Sequence, residues 1–303
     1  MATELAKSCD VTVLYGDLAG CHPERARVEK WLGENSNPPS LKLAHVPPNC
    51  LTMIIHSLHQ LPGMWFVYYV AYYLWQRSAL RHAKALHASE SFDVCHHLTV
   101  ITFREPGFLW KLNIPFFWGP VAGSAIAPAV FLQNCGMVER FRWKFRNLMT
   151  SRQIAKGGRW VEAAKRAKKI WVVSKEDQRA FGGWGIQTAI MQEVGATGSL
   201  PGSYIRSHEL GQTLKLCWSG LFQAIKGLDL LLRCLSQLPS CDFELNVLGR
   251  GPEEERWRRM AQELEIADKI RWHGMVPRQR ALEVMARCHV FVHTSVKEPT
   301  GVV

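Results

Sequence analysis

Short apolar runs separated by longer amphipathic stretches recur along this 303-residue chain. Residues 10–15 (Asp-Val-Thr-Val-Leu-Tyr), preceded by Leu5-Ala6-Lys7, read as the tail of a helix feeding a buried strand. Residues 93–97 form a second strand that ends on His96-His97. The run Ile114-Pro115-Phe116-Phe117-Trp118 then meets the glycine loop Gly119-Pro120-Val121-Ala122-Gly123. Residues 169–173 give another strand, after which Ser174 and Asp177 have the spacing of a helix capping pair. Farther on the pattern is cleaner. Residues 214–218 are a strand, and Leu228, Leu231, Leu232 and Leu235 fall at i, i+3, i+4 and i+7 of a helix. Residues 243–248 are the next strand, followed by Gly249-Arg250-Gly251-Pro252, with Pro252 suited to a first helical position. Residues 269–273 and 289–293 are two more strands, separated by a helix over 278–287.

Strand, loop and helix in repeated alternation predict α/β architecture with parallel sheets. The length predicts two domains. The Gly-, Ser- and Pro-rich stretch 194–203 is the best linker, so the division falls at 1–208 and 209–303. Each half reads as a Rossmann-like, doubly wound domain, and each reads as incomplete: the first lacks an opening strand with its glycine turn, and the second stops partway.

Composition changes this picture little. With 47% hydrophobic and 21% charged residues the chain is globular throughout. Nine scattered cysteines without Cys-x-x-Cys spacing suggest a reducing cytoplasm rather than a disulfide framework or zinc site. Residues 64–75 are strongly apolar but too few to span a bilayer, which leaves a buried or interfacial helix. The net charge of +11 favours an anionic partner. Much of it lies between 140 and 169, interleaved with Phe141, Trp143, Phe145 and Trp160, either a contact surface or a solvated helix face. No nucleic-acid-binding signature accompanies it, so nucleic acid is not expected.

At Trp218-Ser219-Gly220, with Lys226-Gly227 just beyond, a strand end, a turn and a lysine precede a helix start, a geometry suited to anions. With Val247-Leu248-Gly249-Arg250-Gly251-Pro252-Glu253, Trp272-His273-Gly274-Met275-Val276-Pro277 and residues 290–301, this order of elements resembles the donor domain of glycosyltransferase family 4, the retaining GT-B enzymes. The first half resembles a subgroup of that family through His96-His97 and the loop Trp118-Gly119-Pro120-Val121-Ala122-Gly123.

The resemblance implies a two-domain GT-B fold and transfer of a sugar from a nucleotide-sugar to a glycan or lipid-linked acceptor with retention. It places the donor against Ser219, Gly220, Lys226, Gly249 and Gly251, with Met275 and Val276 at the base. Glu298 would be the first glutamate of the family's Glu-x7-Glu motif, a catalytic and donor-binding residue, and the backbone of Gly301, Val302 and Val303 would face sugar and phosphate. His97, or second to it His96, would approach the transferred sugar, and Trp118, Gly119, Pro120 and Gly123 would form the acceptor-side loop. Leu221 stands where the family usually has an arginine. No Asp-x-Asp occurs, and no metal or cofactor is expected. A cytoplasmic protein in peripheral contact with an anionic inner membrane face would fit. Two other readings stay open: an inactive sugar-nucleotide-binding fragment, and a GT-B-type sugar-nucleotide epimerase.

Overall fold

A computed structural model describes residues 2–18, 24–34, 38–59, 61, 64, 66–133, 136–192, 211–238 and 241–297. The chain forms two compact units, one built from Met1–Gly123 and Gly157–Met191, the other from Ser124–Lys156 and Gln192–Val303.

In the first unit, helix α1 (Ala2–Leu5) leads into β1 (Val11–Tyr15), and α2 (Glu24–Glu34) into β2 (Leu41–His45), which pairs parallel with β1. Helices α3 (Cys50–Leu58) and α4 (Val67–Glu90) follow, then β3 (Cys95–His97) and β4 (Phe116–Val121). After α5 (Ala129–Leu132) and α6 (Met137–Lys156), which belong to the second unit, the chain returns as α7 (Arg159–Arg166), β5 (Ala167–Val172), α8 (Lys175–Gly182) and β6 (Ala189–Ile190). Strands β3, β4, β5 and β6 make a second sheet in that order, every pairing parallel. Ser174 is the N-cap of α8, its hydroxyl accepting the Asp177 amide at 3.1 Å, as the spacing predicts.

Helix α4 is the structural spine of this unit. Ala71, Trp75 and Ala79, at a spacing of four, are buried, and the Trp75 indole donates to the Val46 carbonyl at 2.8 Å. The Tyr72 hydroxyl donates to Thr99 O at 2.6 Å and accepts from the Val100 amide at 2.9 Å, holding the loop after β3. Within the apolar stretch 64–75, Val67, Ala71, Tyr72 and Trp75 are thus core, while Phe66, Tyr69, Val70 and Tyr73 face outward. Among the described residues no helix is long and apolar enough to cross a membrane.

The second unit contains β7 (Leu214–Ser219), α9 (Leu228–Ser236), β8 (Phe243–Leu248), α10 (Glu254–Glu263), β9 (Ile270–Gly274), α11 (Arg278–Ala286) and β10 (Val290–Phe291). Its parallel sheet runs β10-β7-β8-β9. The predicted leucine stripe packs α9 to the sheet: Leu228, Leu231, Leu232 and Leu235 are all buried. Full burial of each such side chain contributes about 1.5–3 kcal/mol. Beside them Trp218, Phe222 and Trp257 form an aromatic cluster with centroids 5.3–5.8 Å apart. On the other sheet face Cys217 is fully buried next to Leu248 and Val284, a thiol used as a small hydrophobe.

Three sequence expectations need correction. The compact units differ from a single cut at 208/209, because 124–156 packs with the later residues: Ala127 and Leu132 bury against Ile225, with Trp143 and Val296 alongside. Asn147 clamps this segment, its side chain bonding Ala127 N at 3.2 Å and Ala127 O at 2.7 Å. The linker stretch 194–203 lies outside the described residues. Second, Trp118, Gly119, Pro120 and Val121 are not loop but the end of β4, irregular in register between Trp118 and Val121. A Cβ at Gly119 would meet the Trp171 carbonyl at 2.3 Å, so glycine lets the strands approach there. Third, Pro252 precedes the helix instead of opening it. The Glu253 amide donates to Phe222 O at 3.0 Å, which holds that turn against the preceding loop, and α10 begins at Glu254.

Candidate functional site

The carboxyl ends of β7, β8 and β9 each release a short loop, and these loops meet. Ser219, Gly220 and Leu221 from the first, Leu248 and Gly249 from the second, and Gly274, Met275 and Val276 from the third line one hollow of about 110 Å³. An apolar cavity of roughly 150 Å³ holds a benzene ring. The hollow is therefore smaller than a cavity that encloses one ring, a shallow seat for one face of a heterocycle rather than a site for a whole nucleotide. Ligands of open α/β sheets bind outside the carboxyl ends of the strands, and this hollow sits there.

Main-chain bonds fix its walls. The Gly220 amide donates to Leu248 O at 3.0 Å, Phe222 N to Arg250 O at 3.0 Å, and Gly249 N to Gly274 O at 2.9 Å. Gly249 has φ 134°, and a Cβ there would lie 1.9 Å from the Gly220 carbonyl. Glycine is required by contact between two loops as well as by backbone conformation. Gly251 packs on the Phe222 backbone, where a Cβ would lie 2.6 Å from the carbonyl oxygen, so its first duty is loop packing.

Lys226 ends a 3₁₀ turn (Ala224–Lys226) immediately before α9. Its carbonyl accepts from the Thr294 hydroxyl at 3.0 Å, and that oxygen accepts the buried Trp218 indole N–H at 2.9 Å. Thr294 thus ties the loop after β7 to the one after β10. Sequence reading singled out neither Thr294 nor Lys297, whose ammonium reaches the Ala125 carbonyl and lies 5.7 Å from the Trp143 ring centroid. A hydroxyl beyond an apolar strand was the only available signal for Thr294.

The start of α9 already carries an acid. Asp229 in its first turn is buried, with Arg256 at 3.8 Å and Glu253 2.5 Å from the same guanidinium. Burial raises the Asp229 pKa while Arg256 opposes the rise. The exposed Leu221 adds no charge to the hollow, so Lys226 is the cation that the helix-start motif supplies. Glu298, Gly301, Val302 and Val303 lie outside the described residues.

In the first unit the two histidines point to opposite environments. His97 is buried, and its Nε2 donates to the Glu105 carbonyl at 3.1 Å. Burial pushes its pKa down to about 4, leaving a neutral ring at physiological pH. His96 is half-buried, bonds Gly119 O at 2.9 Å through Nε2, and tilts against Trp171 with centroids 5.4 Å apart. Burial lowers its pKa too. Each ring is engaged by a backbone carbonyl, and His96 keeps the greater exposure.

Trp118, from the expected acceptor-side loop, is core, edge-on to Phe181 at 5.7 Å. Pro120 is buried within β4, and Gly123 sits beside Thr102, its carbonyl accepting from Arg104 at 3.3 Å. The loop after β3 is closed by an ion pair between Glu105 and Arg159. Burial raises the Glu105 pKa and Arg159 opposes that shift.

Comparison with known proteins agrees with the geometry. Residues 206–303 match the family described as glycosyl transferases group 1. No curated protein matches the chain in sequence. Among solved structures, the apo form of the lipopolysaccharide outer core galactosyltransferase WaaB is similar with a TM-score of 0.56 at 12% identity, covering 95% of this chain and 75% of that one. HepE from Anabaena in complex with UDP is similar with a TM-score of 0.51 at 14% identity, covering 93% and 66%. The fold is GT-B, with two Rossmann-like domains. The resemblance to the glycosyltransferases extends over the segment that forms the hollow.

Proposed function

We propose that this chain transfers a sugar from a nucleotide-sugar to a glycan or lipid-linked acceptor, with retention of configuration. The observation that carries the reading is the convergence of Ser219, Gly220, Gly249, Met275 and Val276, from three separate loops, on one hollow at the carboxyl edge of the sheet. Its scale suits one face of the nucleobase, and Lys226 at the neighbouring helix start would meet the diphosphate. Positive charge held in advance of the reaction would stabilise the departing nucleoside diphosphate without a metal, so catalysis is mostly positioning and electrostatics. WaaB, by its title a galactosyltransferase, and HepE, solved with UDP, share the fold and support this class of donor.

Calorimetric titration with uridine diphosphate tests the donor half. Lys226→Ala should weaken binding at least tenfold, about 1.4 kcal/mol. Equal affinity in the variant would remove Lys226 from the site. Incubation with labelled nucleotide-sugars and lipid-linked acceptors tests the reaction. Isomerised donor without transfer would establish an epimerase instead, and binding without turnover would establish a binding module. On the first unit, His96→Ala tests the histidine that has more exposed surface, and loss of turnover with donor affinity intact is the expected result.

A further inference from the structure

The first unit holds a cavity of its own, larger than the donor hollow and lined by cations. Arg77 and Arg81 stand one turn apart on the exposed side of α4, and Lys111 joins them from the 3₁₀ turn Leu109–Lys111. Like charges at that helical spacing repel each other. The three line one cavity of about 640 Å³, inside the range of about 300–1,000 Å³ usual for small-molecule sites. Among the described residues no carboxylate pairs with any of them. Glu105, on the segment leading to the turn, is held by Arg159 instead.

The cations are nonetheless fixed in place. The Arg81 guanidinium donates to the Ser78 hydroxyl at 3.0 Å. The Lys111 ammonium lies over the Phe108 and Trp110 rings, 5.2 and 5.0 Å from their centroids, and Phe108 in turn meets Tyr73 edge-on at 5.1 Å. Contact with a ring face orients an ammonium without consuming its N–H donors. Asn49, on another wall, uses its side-chain oxygen to accept the Thr52 amide at 2.8 Å as the cap of α3, so the carboxamide keeps its NH2 donors for the cavity. Leu74 and Leu80 supply apolar wall.

We propose that this cavity is a second ligand site, separate from the donor hollow, and that it takes a phosphorylated saccharide. The phosphate would sit among Arg77, Arg81 and Lys111, the sugar hydroxyls would accept from Asn49, and the C–H face of the ring would rest on Leu74 and Phe108. A phosphate monoester carries about −1.5 to −2 charges at neutral pH and three acceptor oxygens, which matches cations that no carboxylate neutralises. The volume exceeds what inorganic phosphate alone would fill. The aromatic rings of the wall are engaged by cations, with Arg159 over both Tyr73 and Phe108, so they are poor platforms for a nucleobase. None of the residues proposed for sugar transfer lines the cavity, and the Cys95 thiol at the start of β3 donates to the Leu109 carbonyl at 3.7 Å, which sets the Lys111 turn by the amino end of that strand. The inference therefore does not depend on glycosyl transfer.

Calorimetric titration of the full chain with glucose 6-phosphate, glucose 1-phosphate and mannose 6-phosphate tests it, with glucose, inorganic phosphate and uridine diphosphate as the comparison ligands. At least one sugar phosphate should bind at least about tenfold more tightly than inorganic phosphate, glucose should not bind, and affinity should fall as salt rises. Arg77→Gln/Arg81→Gln should weaken that binding at least about tenfold while leaving uridine diphosphate affinity as in the wild type. Should the arginine pair not fold, Lys111→Gln alone decides the matter, with a loss of about fivefold expected. Sugar phosphates that bind no better than inorganic phosphate, or equal affinity in the variants, overturn the proposal. So does displacement of the bound sugar phosphate by uridine diphosphate, which would make the two sites one.

Discussion

Replacing Thr294 by valine would cut the link between the loops after β7 and β10 while nearly preserving side-chain shape. Two groups lose their partner: the Trp218 indole N–H, which donates to this hydroxyl at 2.9 Å, and the Lys226 carbonyl, which accepts from it at 3.0 Å. Trp218 is 2% exposed, so water cannot replace the lost acceptor. A buried donor left unsatisfied costs about 1–3 kcal/mol, and the second bond contributes about 0.5–1.5 kcal/mol. The expected loss is about 2–4 kcal/mol in the opening free energy of β7. Hydrogen exchange of peptides covering 214–219 reads that quantity directly, without requiring both units to unfold together. Thr294→Ser keeps the hydroxyl and should recover most of the protection. In a Trp218→Phe background the N–H is already gone, so Thr294→Val should cost less there by at least about 1 kcal/mol. Equal costs in the two backgrounds, or a loss below about 0.5 kcal/mol in the wild type, would refute the argument that this hydroxyl joins the loops.

The His97 ring should make stability depend on pH. Its folded pKa near 4 lies below the ordinary 6.5, so the neutral ring favours the fold above pH 6.5. That contribution, about 3 kcal/mol in total, is lost as pH falls through 4. Urea midpoints of wild type and His97→Gln compared over this range should converge at low pH, and parallel curves would show that His97 is not the group responsible. Gly249→Ala and Gly274→Ala separate contact from conformation, since both glycines have positive φ but only Gly249 has a carbonyl 1.9 Å from a would-be Cβ. Gly274→Ala should cost about 1–2 kcal/mol and Gly249→Ala clearly more, with equal melting temperatures contradicting the packing argument. Donor affinity should be unchanged after exhaustive treatment with a chelator, and its loss would point to a metal-dependent diphosphate site.

What the sequence disclosed is what local periodicity can encode. The four leucines of α9, the Ser174 cap and the bounds of β8 follow from side chains within a few residues of each other, and each stands where the pattern puts it. The residues that line the hollow were legible for a related reason: a small residue after an apolar run marks a strand end, and strand ends in parallel sheets share an edge. Partner choice across long sequence separations was not legible. Nothing local tells that Thr294 bonds both Trp218 and Lys226, or that Glu105 meets Arg159. The reading of 64–75 as apolar was correct but could not divide its residues between Trp75, locked to Val46 O, and the outward Phe66 and Val70. Gly119 looked like a loop signal because glycine permits both turns and tight strand contacts, and only the position of the Trp171 carbonyl decides between them.

The membership of 124–156 in the second unit has a practical consequence for anyone dissecting the protein. The chain enters that unit at Ser124, leaves it at Lys156 and re-enters by Gln192. No single cleavage can free either half intact. A fragment beginning at 209 would bare Ile225 and Val296 where Ala127, Leu132 and Trp143 had covered them, and would strand the Lys297 ammonium without the Ala125 carbonyl. Such a fragment should aggregate unless the excised helix is supplied as a peptide. Fusing 124–156 through a short linker to a segment that begins at 192, so that both pieces of the second unit lie on one chain, would be the more promising way to ask whether that unit can stand alone.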